Sequence, residues 1–472
     1  MIVKRFYDTG LAQTSYLIGC GAHGVAVVLD PNRDVEQYIR MAEQEDVRIT
    51  HVTETHIHAD FVSGARELAE RTGAALYLSD EGDASWKYAY AGDDGAVLVK
   101  NGDTFTVGNI IIEAVHTPGH TPEHLSFVVT DGAAATEPIA IVTGDFVFVG
   151  DVGRPDLLEK AAKLEGTMEQ AARTLYRSLS KVRNYPDWMQ VWPGHGAGSA
   201  CGKGLSAVPH STVGYERRFN WAFGVTDEDE FVRMVLAGQP EPPKYFAEMK
   251  RINKAGPKSL HGFATPERLP IARMGAQLES GSVVVDARSA AEFAGGHIPG
   301  TINIPLDKSF STWAGWLLSY DADIHLIIDA DAVDIAIRDL AMIGLDRVAG
   351  YYGSAVVAEW AAEGGTLETV RQISATQLAA RIGDGDVTVL DVRGSAEWKA
   401  GRLPGAVNIP VGYLEERLHE LPRETPLVVL CQSGARSAIA ASVLQANGLD
   451  NVINLSGGFT AWQRDAGEVV RG

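Results

Sequence analysis

The segment Thr-His-Ile-His-Ala-Asp-Phe at residues 55–61 constrains the fold of this chain more than any other feature. Residues 49–55 are rich in β-branched side chains, which predicts a strand that ends in a turn. Loops that follow such strands commonly carry the functional groups of a rigid scaffold. His56, His58 and Asp60 alternate in this loop, and imidazole and carboxylate groups at such spacing are typical of a metal site.

Three later segments extend the pattern in order along the chain. His120 lies in Val-His-Thr-Pro-Gly-His-Thr, Asp145 ends the predicted strand Val-Thr-Gly-Asp, and His195 lies in Trp-Pro-Gly-His-Gly. Together with residues 55–61, these segments resemble the metallo-β-lactamase superfamily, whose signature is T-H-x-H-x-D-H. The resemblance implies an αββα sandwich over residues 1–250.

Phe61 departs from that signature, because the superfamily has a histidine at this position. In the two-metal members, the resemblance implies that the second ion is bound by the equivalents of Asp60, residue 61 and His195. A phenyl ring has no lone pair to donate. We therefore expect no tightly held second ion.

The remaining donors suit a single ion. His56, His120 and Asp145 form a set of two histidines and one carboxylate with open positions, which is typical of non-heme Fe(II) centres that react with O₂. We expect one Fe(II) per chain on these residues. Three neighbours are expected to orient the ligands or a bound water: His58, Asp60 and His195. A single zinc ion with hydrolytic chemistry is the alternative.

Composition narrows the class of protein further. A length of 472 residues is enough for about three domains. The net charge of -20 argues against nucleic acid or an anionic membrane as partner. No run approaches the roughly 20 apolar residues that span a bilayer, and the N-terminus lacks the apolar core of a signal peptide. The three cysteines are too few for a disulfide framework, so we expect free thiols in a cytoplasmic protein. We also expect the protein to form a homo-oligomer.

The C-terminal half contains an internal repeat. The run Val-Val-Val-Asp-Ala-Arg at 283–288 recurs 105 residues later as Thr-Val-Leu-Asp-Val-Arg at 388–393, and later Pro-Gly and Asn-Ile-Pro runs recur with it. We therefore expect a linker at 251–267, followed by two copies of one α/β domain at 268–366 and 371–472.

The second copy contains a loop suited to sulfur chemistry. A predicted buried strand at 427–430 leads into Cys-Gln-Ser-Gly-Ala-Arg, which precedes a predicted helix. Backbone N–H groups at a helix N-terminus stabilise an anion. The copy resembles rhodanese, the sulfurtransferase fold. We expect Cys431 to carry a thiolate or persulfide, assisted by Arg436, with Gly434 binding substrate. A buried structural cysteine is the alternative.

The first copy has lost this loop. Ala330 stands where the nucleophile is expected, and the loop is about three residues shorter than its counterpart. Without sulfur or an anion site, this copy is expected to be a spacer or docking domain.

The combination resembles the persulfide dioxygenases that are fused to rhodanese domains in bacterial sulfide detoxification. The resemblance implies that iron on His56, His120 and Asp145 oxidises a low-molecular-weight persulfide with O₂ to sulfite. It also implies that Cys431 exchanges sulfane sulfur between persulfide, sulfite and thiosulfate. A zinc thioester hydrolase of the glyoxalase II type and a non-catalytic sulfur carrier are the alternatives.

Three further residues have roles that the sequence leaves open. Arg154, in Gly-Arg-Pro-Asp, anchors a substrate carboxylate or phosphate, or it only braces Asp156. Tyr176 matches a Leu-Tyr-x-Ser element near the iron in the relatives, although a core tyrosine would look the same. Cys201 follows His195 by six residues, close enough to meet a persulfide, and its reactivity is undecided.

Overall fold

The computed structural model describes residues 1–157 and 166–471. The chain divides into two compact units, the first comprising Met1–Phe263 with Ala341–Gly344, and the second comprising Ala264–Leu340 with Leu345–Gly472. Both units mix helices with sheets, which confirms the predicted α/β class. The domain boundaries given above stay predictions.

Two six-stranded sheets and a short hairpin form the first unit. The strands of the first sheet, β1 to β6, are Ile2–Asp8, Gln13–Cys20, Val25–Leu29, Arg48–Thr53, Ala75–Ser79 and Val97–Val99, hydrogen-bonded in that order. The next strands, β7 to β10, are Thr104–Val107, Ile110–His116, Leu125–Asp131 and Ala140–Gly144. The hairpin pairs β11 (Val147–Phe148) with β12 (Asp151–Val152). With β13 (Gln190–Pro193) and β14 (Ser211–Thr212), the second sheet has the order β14-β13-β10-β9-β8-β7.

Seven helices of the first unit lie among the described residues. They are α1 to α7, at Glu36–Gln44, Ala65–Thr72, Met168–Arg183, Val213–Phe219, Trp221–Gly224, Glu228–Leu236 and Tyr245–Ala255.

The core of this unit has the layers of an αββα sandwich. Ile18 of the first sheet belongs to the same buried cluster as Phe127 of the second, so the two sheets pack face to face. Helices α1 and α2 cover the outer face of the first sheet, and α3 and α6 cover the second. Because both faces of each sheet are covered, every residue of β2 is buried. The strand ends are thereby held rigidly for the loops that follow.

The second unit contains two parallel sheets. Strands β15 (Val283–Asp286), β16 (Ile302–Asn303), β17 (Ile324–Ile327) and β18 (Val348–Tyr352) are arranged β16-β15-β17-β18. Strands β19 (Arg371–Ile373), β20 (Thr388–Asp391), β21 (Val407–Asn408), β22 (Leu427–Leu430) and β23 (Val452–Leu455) are arranged β19-β23-β22-β20-β21. The helices, α8 to α16, are Met274–Glu279, Ala290–Gly295, Phe310–Leu317, Val333–Met342, Val356–Ala362, Ala375–Asp384, Ser395–Ala400, Ala435–Ala446 and Gly458–Asp465.

The repeated sequence produces the same local structure twice. The side-chain amide of Asn303 donates to the backbone oxygens of Asp286 and Arg288, at 2.8 and 3.0 Å. Asn408 makes the corresponding bonds one repeat later, at 2.8 and 2.9 Å. The Asp-x-Arg and Asn-Ile-Pro runs therefore hold β15 and β20 to their neighbours in the same way.

Helix α15 packs on both copies. Seven of its twelve residues are buried, at positions 437 and 439–444. The hydroxyl of Ser442 accepts a buried hydrogen bond of 2.9 Å from the backbone N–H of Asn303, at the end of β16 in the first copy. One helix thus contributes to the core of its own copy and to the edge of the other.

No helix among residues 1–157 and 166–471 combines the length and the apolar character needed to cross a membrane.

Candidate metal centre and cysteine loop

The three predicted iron ligands come together at strand ends of the first unit. His56 follows β4, His120 follows β8, and Asp145 follows β10. One donor atom from each lies within 4.8 Å of the others, and all three residues are buried. The Nε2 atoms of His56 and His120 lie 3.9 and 3.5 Å from Oδ2 of Asp145. The structure thus places the predicted donors around one point.

Both imidazoles are oriented by a hydrogen bond at Nδ1. His120 Nδ1 donates to the backbone oxygen of Arg154 at 3.0 Å. His56 Nδ1 lies 2.9 Å from the hydroxyl of Thr55, and that hydroxyl donates its own hydrogen to Asp30 at 3.0 Å. Thr55 must then accept from His56. Each ring therefore presents the lone pair of Nε2 to the centre, as a metal ligand requires.

The protonation states of His56, His120 and Asp145 favour the binding of a cation. Burial lowers the pKa of His120, and burial together with His58 lowers that of His56 well below its usual value. Burial raises the pKa of Asp145, but the charge of His195 and the neighbouring imidazoles outweigh it and hold the pKa well below its usual range. Neutral imidazole beside an ionised carboxylate is the ligand form that a divalent metal ion needs.

Unpartnered atoms test whether a metal fits. His56 Nε2 and both carboxylate oxygens of Asp145 have no hydrogen-bond partner among the described residues, although all are buried. Leaving such an atom unpaired costs about 1–3 kcal/mol. Two imidazoles and one carboxylate suit Fe(II), and they suit zinc as well. The donor set therefore fits a divalent metal ion without selecting which one.

His58 acts on the centre through Asp30. Its Nε2 lies 3.1 Å from Oδ1 of Asp30, the carboxylate that also binds Thr55. Burial lowers the pKa of His58, but Asp30, followed by Glu54 and Asp60, raises it to about 9. The predicted orienting role of His58 thus has a physical route, which the sequence did not reveal because Asp30 lies 25 residues before Thr55.

His195 and Asp60 lie on the other side of Asp145. His195 Nε2 is 3.2 Å from Oδ2 of Asp60 and 3.3 Å from Oδ1 of Asp145. Its Nδ1 donates to the backbone oxygen of Ala12 at 3.0 Å. Burial lowers the pKa of His195, but Asp145 and Asp60 raise it well above its usual value.

Cys201 joins this second group. Its Sγ lies within 4.8 Å of donor atoms of Asp60 and His195, and its side chain is buried. Burial, followed by the charges of Asp145 and Asp60, raises the pKa of Cys201. In the absence of a cation, Cys201 is therefore a thiol rather than a thiolate.

Arg154 has internal partners for its guanidinium. Arg154 is fully buried and forms a two-armed ion pair with Asp156, at 2.7 and 2.8 Å. It also donates to the backbone oxygens of Ala200 and Pro240, at 3.0 and 2.6 Å. These are contacts of a brace for Asp156, one of the two roles that the sequence left open. Substrate binding by Arg154 stays a prediction.

Tyr176 lies on α3, among the residues that cover the second sheet. Its hydroxyl donates to the backbone oxygen of Thr226 at 2.5 Å, and its ring packs on Phe231 with 5.3 Å between centroids. These contacts are those of a packing residue. A substrate-binding role for Tyr176 also stays a prediction.

The cysteine loop lies between β22 and α15 of the second unit. The backbone N–H of Gly434 donates to Sγ of Cys431 at 3.1 Å. Gly434 has φ +105°, which favours glycine, so the loop geometry depends on this residue. The hydroxyl of Ser437 lies 3.6 Å from the same sulfur. The predicted loop therefore surrounds the sulfur with donors at a helix N-terminus.

Glu397 is a residue of this site that the sequence did not single out. Arg436 donates to both of its carboxylate oxygens, each at 2.7 Å. The pair offsets the positive charge that the anion site would otherwise offer. The repeat contained a signal, because Glu292 occupies the corresponding position in the first copy.

A cavity of 530 Å³ lies beside the loop. Gly434 and Ala438 line it on the side of the second copy, and Ala291 and Phe293 line it on the side of the first. The first copy therefore does more than separate domains, because it supplies an apolar wall next to the cysteine loop.

Comparisons with known proteins match two different families to the N-terminal and C-terminal parts of the chain. The model of the metallo-beta-lactamase superfamily matches residues 8–195, and the model of the rhodanese-like domain matches residues 272–339 and 374–465. A solved metallo-beta-lactamase from Staphylococcus aureus is 46% identical and has a TM-score of 0.70. The match covers 75% of this chain and 99% of that one.

Each curated relative matches only one part of the chain. A probable metallo-hydrolase from Burkholderia pseudomallei is 30% identical over 50% of this chain and 86% of its own length. A sulfurtransferase from Allochromatium vinosum is 36% identical over 21% of this chain and 95% of its own. A mitochondrial persulfide dioxygenase from Bos taurus is 25% identical over 50% of this chain and 80% of its own.

Proposed function

Because the chain belongs to the metallo-β-lactamase superfamily and carries rhodanese-like domains in its C-terminal half, we propose that it is a non-heme Fe(II) persulfide dioxygenase with sulfurtransferase activity. The substrates are a low-molecular-weight thiol persulfide and O₂. The observation that carries this proposal is the donor set of His56, His120 and Asp145, combined with Phe61 where a two-metal hydrolase has a histidine. The persulfide dioxygenase of Bos taurus supports it.

The overall oxidation balances without another reductant. A persulfide RSSH, O₂ and water give the thiol RSH, sulfite and two protons. Iron, when bound, supplies the activation of O₂ and of the persulfide sulfur. His56 and His120 hold their lone pairs on one point through fixed Nδ1 hydrogen bonds, and Asp145 provides the negative charge. Burial of all three shields the ligands from bulk solvent.

The cysteine loop then uses the sulfite. Sulfite attacks the outer sulfur of a persulfide on Cys431, the S–S bond breaks, and thiosulfate leaves with the sulfane sulfur. The electron pair of the broken bond stays on Sγ of Cys431 as a thiolate. The N–H of Gly434 and the N-terminus of α15 stabilise that thiolate. Cytoplasmic location, a homo-oligomeric state, and the absence of nucleic-acid or membrane partners stay predictions from the sequence.

A zinc thioester hydrolase is the second candidate. The probable metallo-hydrolase from Burkholderia pseudomallei favours it, and the donor set also accepts zinc. Iron-loaded and zinc-loaded protein should be compared for O₂ uptake with glutathione persulfide and for hydrolysis of a glutathione thioester. We expect O₂ uptake by the iron form alone. Thioester hydrolysis by the zinc form, with no O₂ uptake by the iron form, would contradict the dioxygenase and establish the hydrolase.

A further inference from the structure

The cavity beside the cysteine loop combines apolar and polar lining. Ala291 and Phe293 of α9 contribute apolar surface, and Gln372, Asn454 and Ser456 contribute polar groups. All the residues that line it in the described part of the chain are uncharged. Its volume of 530 Å³ is within the range of pockets that hold small organic molecules. The lining therefore suits a neutral molecule that is partly apolar and partly polar.

Asn454 contributes an unsatisfied acceptor to this cavity. It is 6% exposed, and its amide oxygen Oδ1 has no hydrogen-bond partner among the described residues. Its amide nitrogen donates to Oε1 of Gln372 at 3.0 Å. Gln372 uses its own N–H on the backbone oxygen of Val370, at 3.3 Å, so its oxygen is the atom that faces Asn454. Oδ1 of Asn454 is therefore an acceptor that a bound N–H group would satisfy.

The cavity extends to the turn that binds the reacting sulfur. Gly434 lines it, and the backbone N–H of Gly434 donates to Sγ of Cys431 at 3.1 Å. Gly457 lines it as well, so both residues bound the cavity with backbone only. A molecule in the cavity therefore lies next to the loop that carries Cys431.

We propose that this cavity binds the uncharged, amide-containing stem of the thiol that exchanges sulfur with Cys431. The inference rests on the sulfurtransferase activity proposed above and names the organic part of its substrate. The amide N–H of the stem donates to Oδ1 of Asn454, and the carbon chain contacts Ala291 and Phe293. Asn454 and the first copy thus select the thiol, a role that the sequence did not assign to either.

The first copy holds its part of the cavity in a fixed shape. The ring of Phe293 is 1% exposed and stacks on the imidazole of His297, with 3.8 Å between centroids. His297 Nδ1 donates to the backbone oxygen of Phe293 at 3.0 Å. The N–H of His297 donates to the backbone oxygen of Glu368, also at 3.0 Å. A preformed wall binds a stem with less loss of side-chain freedom than a mobile wall would.

The transfer itself needs no further reactant. The thiolate RS⁻ attacks the outer sulfur of a persulfide on Cys431, the S–S bond breaks, and RSSH leaves with that sulfur and its proton. The electron pair of the broken bond stays on Sγ of Cys431 as a thiolate. The reverse reaction loads Cys431 from RSSH, and the stem keeps the same contacts in both directions.

Two thiols that differ by one N–H group test the site. N-acetylcysteamine carries an amide, and 2-mercaptoethyl acetate carries an ester of the same shape that cannot donate. Transfer from thiosulfate to each thiol is measured with the full-length protein under anaerobic conditions, so that the iron centre does not consume the persulfide. We expect kcat/KM for the amide to exceed that for the ester by at least about five-fold, because the ester leaves Oδ1 of Asn454 unsatisfied.

Asn454→Leu removes the acceptor and approximately keeps the size of the side chain. We expect the preference for the amide to disappear. Both thiols are compared on the same preparation, so any unfolded fraction cancels from the ratio. Equal kcat/KM for the two thiols in the wild type, or an undiminished preference in Asn454→Leu, would overturn the site. No transfer to either thiol would overturn the proposed sulfurtransferase as well, so the two failures are distinguishable.

Ala291→Leu tests the wall that the first copy contributes. Ala291 is exposed on α9, so a larger side chain narrows the cavity without disturbing the core. We expect kcat/KM for N-acetylcysteamine to fall at least about ten-fold relative to that for cyanide, an acceptor with no stem. Ala362→Leu, at an exposed alanine of the same copy away from the cavity lining, is the control and should keep the wild-type ratio. A wild-type ratio in Ala291→Leu would show that the stem does not bind here.

Discussion

The metal centre and the cysteine loop are built in opposite ways. The donors at the metal centre follow three different strands of two sheets, and Asp30, from another segment, helps to orient one of them through Thr55. The cysteine loop takes its nucleophile, its N–H donor and its cation from six consecutive residues at the N-terminus of one helix. In this chain, the ligands for one ion are brought together by the strands of a whole sandwich, whereas the anion site is formed by one loop and one helix.

The comparison predicts that each centre can be removed without the other, and the largest effect is expected at the loop. Cys431→Ser keeps the loop and removes the sulfur nucleophile, so sulfur transfer should fall by more than about 1000-fold. O₂ uptake should continue, with sulfite replacing thiosulfate as product. Quantifying both anions from wild type, Cys431→Ser and the control Cys20→Ser checks this. An unchanged product ratio would mean that the rhodanese loop has another task.

Removing a metal ligand should abolish O₂ uptake and leave sulfur transfer intact. His120→Ala or Asp145→Ala deprives the ion of one of its three protein donors, and O₂ uptake should fall by at least about 100-fold, since even a partner of a ligand contributes 10–100-fold. Sulfur transfer from thiosulfate should not change. His210→Ala is a matched control, because His210 is an exposed histidine of the same unit. Wild-type O₂ uptake in either variant would disprove the ligand assignment.

A smaller effect is expected one step away from the ligands. Asp30→Asn keeps the shape of the side chain and removes the charge that holds Thr55 and His58. We expect metal affinity about 10–100-fold lower, measured by competition with a chelator. Asp30 belongs to the first unit and the cysteine loop to the second, so sulfur transfer should be unaffected. Affinity equal to wild type would show that His56 is oriented without Asp30.

The smallest effect concerns the ion pair at the loop. Glu397→Gln keeps a hydrogen-bond acceptor for Arg436 and removes the opposing charge, and Glu397 is partly exposed. Such pairs contribute about 0.2–1 kcal/mol. The KM for sulfite should therefore decrease by up to about five-fold, and the gain should vanish at high salt. The KM for an uncharged sulfur acceptor is the control, and an equal change there would exclude an electrostatic role.

The two centres also differ in how far the sequence predicts them. The loop at 431–436 is local, so its residue types and their spacing were sufficient. At the metal centre, the resemblance of the ordered motifs to the metallo-β-lactamase superfamily predicted His56, His120 and Asp145, and the structure brings these three residues together. Cys201 was noted only for its proximity to His195, since no spacing rule places a residue of a long loop against Asp60.

Residues on helices and turns were the hardest to assign. The position of Tyr176 on its helix is compatible with contact to substrate or to the core, so the sequence cannot distinguish the two. The structure shows that its hydroxyl donates to the backbone oxygen of Thr226. Arg154 pairs with Asp156 two residues later, but the backbone oxygens that it also binds, those of Ala200 and Pro240, lie 46 and 86 residues away along the chain. Glu397 was predictable in principle, from the repeat alone.

Helix α15 joins the stability of the two rhodanese-like copies. Its buried residues, with Ser442 bonded to Asn303, would lose part of their cover if the first copy unfolded. The first turn of that helix is also the anion site of Cys431. The first copy therefore stabilises the folded state of the second copy. The two copies should unfold in one thermal transition. A cavity made in the first copy by Ile304→Ala should lower the melting temperature of the second copy as well, although Ile304 is not part of the cysteine loop.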